Sequence, residues 1–584
     1  MSWPARATVA AVAVLLTASL APELPSGGPR PLLGLAAPPV ARAASPGGPA
    51  AILVADDVAA VLRAAAEALD DPTLAVAVVD RAGTILGVYA RPQAPQRAPD
   101  VAVSLARTTA YFSNDQAPLS SRTVRFISGI HFPPGIFDAP NAALYGVENI
   151  NRGCPLDDTG DAIFNTPIVR PRSLAGTFGE NPLPCRPDDT RGCAVGGPIS
   201  GLDGQPIWSL GITTGKRDLF DADNGAESTI DPGGIPLYRG AQLVGGVGVA
   251  GVARERAEFA ALVAALGAGR GLTTGIDLPQ PLPPPGAIYI EGIRLPFTSA
   301  APDRRPAGSA AGRFADGAYV VAPRDGRQAP EGYLIGPRGS AVAGGLDEAD
   351  VRRIVEQAVA QAERSRAQVR LPYGGAAPRF IIAVSDERGE VLAEYRMGDA
   401  LFDAVDVVPS KARNAYYFST REGYEVLRGY VQRAGYGWDE PPPGQGWALT
   451  SRTISFGGQP LFPPGIDRNA PPTPGPWFEL FVYDTLNPCT EGPGPSRGGD
   501  RSFVNQNGIT WFPGSAPLFK DGRLVGGLGV SGDGVEQNDL VTAGGARGFE
   551  PPLVLRVDNS EIRSLDGRRV RLPYLKFPRN PEQP

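Results

Sequence analysis

The feature that most constrains this chain is that it repeats itself. Leu119 to Ile136 (LSSRTVRFISGIHFPPGI) and Leu449 to Ile466 (LTSRTISFGGQPLFPPGI) agree at 10 of 18 positions. Pro236 to Gly251 and Pro517 to Gly532 agree at nine of 16. Asp80 to Gly83 pairs with Asp386 to Gly389, and the run from Arg107 to Ser113 pairs with that from Arg413 to Ser419. All blocks keep one order, so the chain reads as one domain duplicated. Its 584 residues exceed what a single core commonly holds, in keeping with that reading. Spacing shows where the copies diverge. Arg107 and Arg122 lie 15 residues apart, but Arg413 and Arg452 lie 39 apart. From His131 to Leu243 is 112 residues, against 63 from Leu461 to Leu524. Insertions of this kind are expected on loops.

Hydropathy periodicity predicts the same elements in each copy. Asp56–Leu69 and Asp347–Glu363 have helical spacing with an acidic first turn. Leu74–Asp80 with Ile85–Tyr89, and Phe380–Asp386 with Val391–Tyr395, read as hairpins around a Gly turn. A helix over Val101–Ser113, a second hairpin over Pro236–Val249 and a last helix over Arg254–Leu266 complete the first copy. Strands returning on themselves with helices alongside predict an α+β fold of antiparallel sheets. The domains expected are 50–271 and 346–584, joined by a Pro/Gly-rich linker over 272–345. Ile293 to Phe297 echoes Val570 to Tyr574, an extended tail expected to pack on each domain.

The first 43 residues read as an export signal. Arg6 precedes an uncharged stretch, Ala7 to Ala21, too short to span a bilayer and suited to a signal-peptide core. Ser19-Leu20-Ala21 and Ala41-Arg42-Ala43 both offer small residues for cleavage. A periplasmic or extracellular protein without a transmembrane segment is expected. Export makes the four cysteines, Cys154, Cys185, Cys193 and Cys489, candidates for disulfides, with at least one bridge expected to involve Cys185 or Cys193. A net charge of −6 argues against a nucleic-acid partner. A single His and only two Met exclude multihaem cytochromes and His-rich zinc enzymes.

The polar residues shared by both copies are the candidates for chemistry. Arg122 and Arg452, each in a Ser-Arg-Thr loop ahead of a Pro-Pro-Gly turn, could present a guanidinium to a carboxylate, with Ser121 and Ser451 beside them. The alternative is that these arginines tie a long loop to the core. Arg107 and Arg413 recur on the small-residue helices, with Tyr111 and Tyr417 one turn on. His131 is the one imidazole and hence the candidate metal ligand, although its counterpart is Leu461. Asp80 and Asp386 read as turn formers. Gly246-x-Gly248-x-x-Gly251 and Gly527-x-Gly529-x-x-Gly532 match a dinucleotide motif, but neither is followed by a parallel strand with an acidic residue, so close helix packing is the expected role. An acidic loop, Asp221, Asp223, Glu227 and Asp231, misses calcium-loop spacing.

The order of helix, Asp-x-x-Gly hairpin, small-residue helix and a final Val525–Asp539 stretch (VGGLGVSGDGVEQND) resembles the GlcG/HbpS-like haem-binding family. The resemblance implies a profilin-like fold, frequent homo-oligomers, and haem or a related tetrapyrrole as ligand in some members. The family's Lys-Ala-x-Thr-Ala appears as Lys411-Ala-Arg-Asn-Ala415 in the second copy and as Leu105-Ala-Arg-Thr-Thr109 in the first, which has lost the Lys. An exported binding protein for haem or a similar planar carboxylated ligand is expected. The other reading is a structural or protein-interaction module that keeps the fold without the ligand. No nucleophile, metal cluster or paired acid and base marks an enzyme.

Overall fold

The computed structural model describes residues 51–95, 98–128, 146–147, 199–200, 206–207, 230–275, 288–290, 293–370, 376–460, 462, 473–486, 508–563 and 567–577. The first 50 residues, expected to hold an export signal, the four cysteines, His131, Leu461, and Asp221, Asp223 and Glu227 lie outside the described residues.

Alternating apolar residues build the first sheet. In β1 (Ala75–Asp80), Ala75, Ala77 and Val79 join the core on one face, under α2 (Ala98–Phe112). Val76 and Val78 join a second core beneath α1 (Ala55–Ala68) and a later helix on the other face. Successive side chains of a strand point to opposite faces, so a six-residue apolar strand must be covered twice. After β2 (Ile85–Ala90) and α2 come α3 (Ser121–Ser128), the hairpin β3 (Gly234–Arg239) and β4 (Gln242–Ala250), then α4 (Arg254–Gly267). Two edge strands, β5 (Leu272–Thr273) and β6 (Ala318–Val321), complete the antiparallel order β6-β2-β1-β4-β3-β5.

The C-terminal half repeats this layering. β7 (Gly332–Ile335), α5 (Glu348–Arg364), β8 (Phe380–Asp386), β9 (Val391–Arg396), α6 (Ala404–Phe418) and α7 (Arg421–Arg433) are followed by β10 (Gly437–Trp438) and α8 (Ser451–Gly457). Then come α9 (Phe478–Leu486), β11 (Ser515–Lys520), β12 (Arg523–Gly532), α10 (Val535–Gly545), β13 (Glu561–Arg563) and β14 (Arg569–Arg571). The second sheet runs β7-β9-β8-β12-β11. The matching strands of the two sheets, β2-β1-β4-β3 and β9-β8-β12-β11, pair in the same order. The architecture is therefore a mixed α+β fold of antiparallel sheets with packed helices.

Three segments differ from their sequence reading, each for a physical reason. The Pro/Gly-rich stretch supplies β6 to the edge of the first sheet and β7 to the edge of the second, covering exposed ladder groups. The Ser-Arg-Thr runs are helices rather than loops. Thr450 caps α8, its Oγ1 accepting from Thr453 N at 3.2 Å, and Ser120 Oγ accepts from Thr123 N at 3.2 Å ahead of α3. Removing such a cap costs about 1 kcal/mol. Thr in place of Glu at the third helical position hides this capping pair from a pattern search. The insertion after Arg413 forms α7, whose Tyr424 and Tyr430 enter an aromatic core with Trp447, Trp477 and Trp511.

The extended tails pack as expected. Thr123 Oγ1 donates to Pro296 O at 2.6 Å and Thr453 Oγ1 to Pro573 O at 2.7 Å. Ser120 and Thr450 likewise donate to Phe297 O and Tyr574 O. The two halves are joined by a buried ionic network. Arg81 donates to Asp399 at 2.7 Å, Asp115 N donates to the same carboxylate at 3.1 Å, and Arg370 bridges Asp399 to Asp533. Burial works against ionisation of Asp399, yet Arg81 and Arg370 hold its carboxyl below the usual value.

Candidate functional site

The paired glycines of β4 and β12 position the site. A Cβ at Gly248 would lie 2.0 Å from Ala102 O, and one at Gly529 would lie 2.1 Å from Val408 O. Only glycine lets α2 and α6 settle directly onto these strands, so the motif serves packing, as the sequence implied. The strand ends then run into the first turns of α4 and α10. What lies between strand end, helix start and the overlying helix differs between the halves.

In the C-terminal half this space is filled from inside. Lys411, fully buried on α6, donates from Nζ to Pro513 O at 2.7 Å and to Val530 O at 2.8 Å. The ammonium also sits 4.6 Å from the centre of the Phe512 ring. Burial pushes the Lys411 amine down to about 7, against the pull of Asp539 and Asp403. Burial likewise pushes the Asp403 carboxyl up to about 7. A neutral amine keeps two N–H donors, enough for both carbonyls.

In the N-terminal half the residue at the Lys411 position is Leu105, itself fully buried, and an open pocket of about 370 Å³ lies at the start of α4. Gly251, Val252 and Ala253 form its accessible surface, with the buried Val101, Leu105, Pro232, Val249 and Ala257 behind them. Charged groups lie among the lining residues: Asp231, Arg254 and Glu255, with Arg254 Nε donating to Asp231 at 2.9 Å. The accessible lining is more polar than apolar, and the volume falls in the range usual for small-molecule sites.

The sequence-predicted residues sit elsewhere. Arg107 Nε donates to Gly83 O at 2.9 Å and Arg413 Nε to Gly389 O at 2.7 Å, so each clamps the turn of its first hairpin. Tyr111, fully buried, donates to Ala82 O of the same turn at 3.0 Å, and its ring meets Phe402 of the other half. Tyr417 is buried against Phe418. Arg122 makes a two-pronged pair with the buried Glu258, at 2.7 and 3.1 Å. Arg452 pairs with the buried Asp539, and Lys576 N donates to the same carboxylate at 2.9 Å. Ser121 Oγ accepts from Gly234 N at 2.9 Å, and Ser451 N donates to Ser515 Oγ at 2.9 Å. Asp80 and Asp386 are turn formers, each accepting backbone N–H bonds across its own turn, from Thr84 and from Arg388 and Glu390. Among the described residues, none of the proposed ligand-binding residues lines the cavity. Its sequence signal was the exchange of Lys411 for Leu105 in aligned helices.

Two solved structures resemble this chain in part. The crystal structure of a PduOC–heme complex is 18% identical, covers 35% of this chain and 95% of that chain, and has a TM-score of 0.19. The Klebsiella pneumoniae protein ORFY, of the DUF336 family model, is 15% identical, covers 36% of this chain and 92% of that chain, and has a TM-score of 0.19. No family model matches the chain, and no curated protein is similar to it in sequence. No helix among the described residues is long and apolar enough to cross a membrane.

Proposed function

We propose that this is an exported small-molecule binding protein, built from two copies of a GlcG/HbpS-like domain, of which the N-terminal copy holds the ligand. The leader supports export to the periplasm or beyond, with a homo-oligomer or another exported protein as possible partner. The observation that carries the binding reading is the pocket at the start of α4, with Asp231, Val252 and Arg254 among its lining residues. The ligand class that the sequence resemblance suggests is haem or a related planar carboxylated molecule. Its body would lie against Gly251, Val252 and Ala253, and a carboxylate would compete with Asp231 for Arg254. The described lining residues include no His, Met, Cys or Tyr, so they do not fit the iron of haem. His131, the candidate metal ligand of the sequence, lies outside the described residues.

Titration of the full-length protein with haemin tests this by absorption. A saturable spectral change is expected in the wild type, lost in Val252→Trp, which fills the cavity mouth, and weakened in Arg254→Ala. A missing change, or one that Val252→Trp leaves intact, rejects the cavity as the haemin site. The competing reading, a structural or interaction module, is favoured by one observation. Arg107, Arg122, Arg413 and Arg452, shared by both halves, all bond within the chain.

A further inference from the structure

We propose that the loop tip formed by Leu553 and Val554, with the arginine face of the hairpin beside it, docks this protein on the surface of an anionic lipid bilayer. The proposal does not depend on what the pocket of the N-terminal half holds. Among the described residues, Leu553 and Val554 are the most exposed large apolar side chains, at 74% and 64%. Single exposed apolar residues are ordinary, but these two are adjacent and held outward by their own loop. Pro551 and Pro552 lead into two 3₁₀ turns, Leu553–Leu555 and Val557–Asn559. Leu555 N donates to Pro552 O at 2.9 Å, and Asn559 Nδ2 donates to Leu553 O at 2.6 Å. Leu555 and Val557 turn inward and join the aromatic core with Trp447 and Trp477. The pair therefore projects from a fixed base, and its insertion requires little further ordering of the chain. A protein partner would need a socket shaped to this convex tip, whereas a bilayer accepts it whatever its outline.

Charge selects the kind of bilayer. Arg571 Nε donates to Asp558 O at 2.5 Å, which sets β14 against the second turn of the loop. In the hairpin, Glu561 lies opposite Arg571 and Arg563 opposite Arg569, with Ile562 and Val570 between them. Ile562 is fully buried, so alternation leaves the three arginines and Glu561 on the outer face. Glu561 pairs with Arg569, Asp439 with Arg563, and Asp558 with Arg556 and Arg571. The side chains of Arg563, Arg569 and Arg571 nevertheless remain 63%, 67% and 68% exposed. From Arg547 to Phe577 the sequence carries seven basic and four acidic residues, a net +3 in a chain whose total is −6. Anionic headgroups attract this segment and repel the remainder, which turns the tip toward the surface. Apolar insertion and basic attraction act together at a bilayer interface.

The full-length protein is sedimented with vesicles of phosphatidylcholine alone, or with about one-third phosphatidylglycerol, at low and high salt. Binding to the anionic vesicles is expected, and it should weaken at high salt. Leu553→Ser/Val554→Ser changes only exposed side chains and should keep the melting temperature, yet weaken vesicle binding at least about tenfold. Arg563→Gln and Arg569→Gln are each expected to weaken it about fivefold. Leu553→Trp is expected to shift the emission to shorter wavelength when anionic vesicles are added, a direct reading of the tip entering lipid. Absence of binding to anionic vesicles overturns the inference. Binding that the double serine variant keeps also overturns it, and assigns attachment to the apolar stretch Ala7 to Ala21 or to another face. Self-association that the double variant abolishes, with no vesicle binding, overturns it in favour of a protein contact at the tip.

Discussion

Leu105 and Lys411 stand at one position of two related halves, and the environments built around them have opposite polarity. Around Lys411 the chain has assembled carbonyls, an aromatic ring, Asp403 and Asp539, all within a closed interior. Nearby, Asp533 anchors Arg370. Around Leu105 the aligned residues are apolar or lie on the cavity wall: Val252 replaces Asp533 and Asp231 replaces Phe512. The C-terminal half therefore spends its polar groups on its own cohesion and on contact with the other half. The N-terminal half has a buried leucine there and an open pocket beside it.

The largest expected effect tests whether the ionic cluster of the C-terminal half is structural. Arg370→Met leaves Asp399 and the fully buried Asp533 without their shared guanidinium, and is expected to lower the unfolding free energy by about 3–5 kcal/mol in urea denaturation. A loss below 1 kcal/mol would show that the carboxylates are satisfied without it.

Next comes the pair that both halves share. Arg122→Ala and Arg452→Ala each strand a buried carboxylate, Glu258 or Asp539, and are expected to cost about 2–3 kcal/mol apiece, with ligand affinity of the folded protein unchanged. A loss of affinity at full stability would instead return these arginines to a binding role.

Lys411→Leu gives the C-terminal half the N-terminal residue. With Val530 O deprived of the lysine and Pro513 O left to Asn538 Nδ2 at 3.3 Å, the cost is expected to be about 2 kcal/mol in urea denaturation. A loss below about 0.5 kcal/mol would show that the interior closes equally well around the leucine of the other half.

The last effect is a slope with pH, small over any single pH unit. Because burial lowers the Lys411 amine to about 7, the unfolded chain holds the extra proton between about pH 7 and pH 10.5, and the stability contribution rises with pH across that window. Asp403, raised to about 7, does the reverse, and its contribution falls as pH rises from about 3.8 to about 7. Lys411→Leu should remove the alkaline rise, at most about 1.4 kcal/mol per pH unit, and Asp403→Asn the acidic fall. Denaturation midpoints between pH 4 and pH 10 read both slopes, and an unchanged alkaline limb in Lys411→Leu would assign that rise to another group.

Much of the fold was legible from residue order. The repeat located two sets of helices and hairpins, and the alternation in Ala75–Asp80 and Phe380–Asp386 marked strands covered on both faces. The Asp-x-x-Gly turns and the packing role of the glycine runs also followed from local chemistry. The site was not legible in the same way. Arg122 and Arg452 stood out because both repeats keep them, but residues kept at equivalent places serve what the halves have in common, and here that is the tie between α3 and α4 and between α8 and α10. The cavity arises where the copies disagree.

Local sequence by itself determined the elements, their order and the turns between them, since these depend on neighbours a few residues apart. It also held the Lys-to-Leu exchange in plain view. Only the tertiary structure decided what that exchange means. The carbonyls that Lys411 satisfies come from residues about a hundred positions further along the chain, and Asp231 reaches the space near Leu105 only once β3, β4 and α2 have packed. Whether a side chain fills a space or leaves it open is set by the depth and shape of the surroundings, and those depend on contacts that residue spacing does not encode.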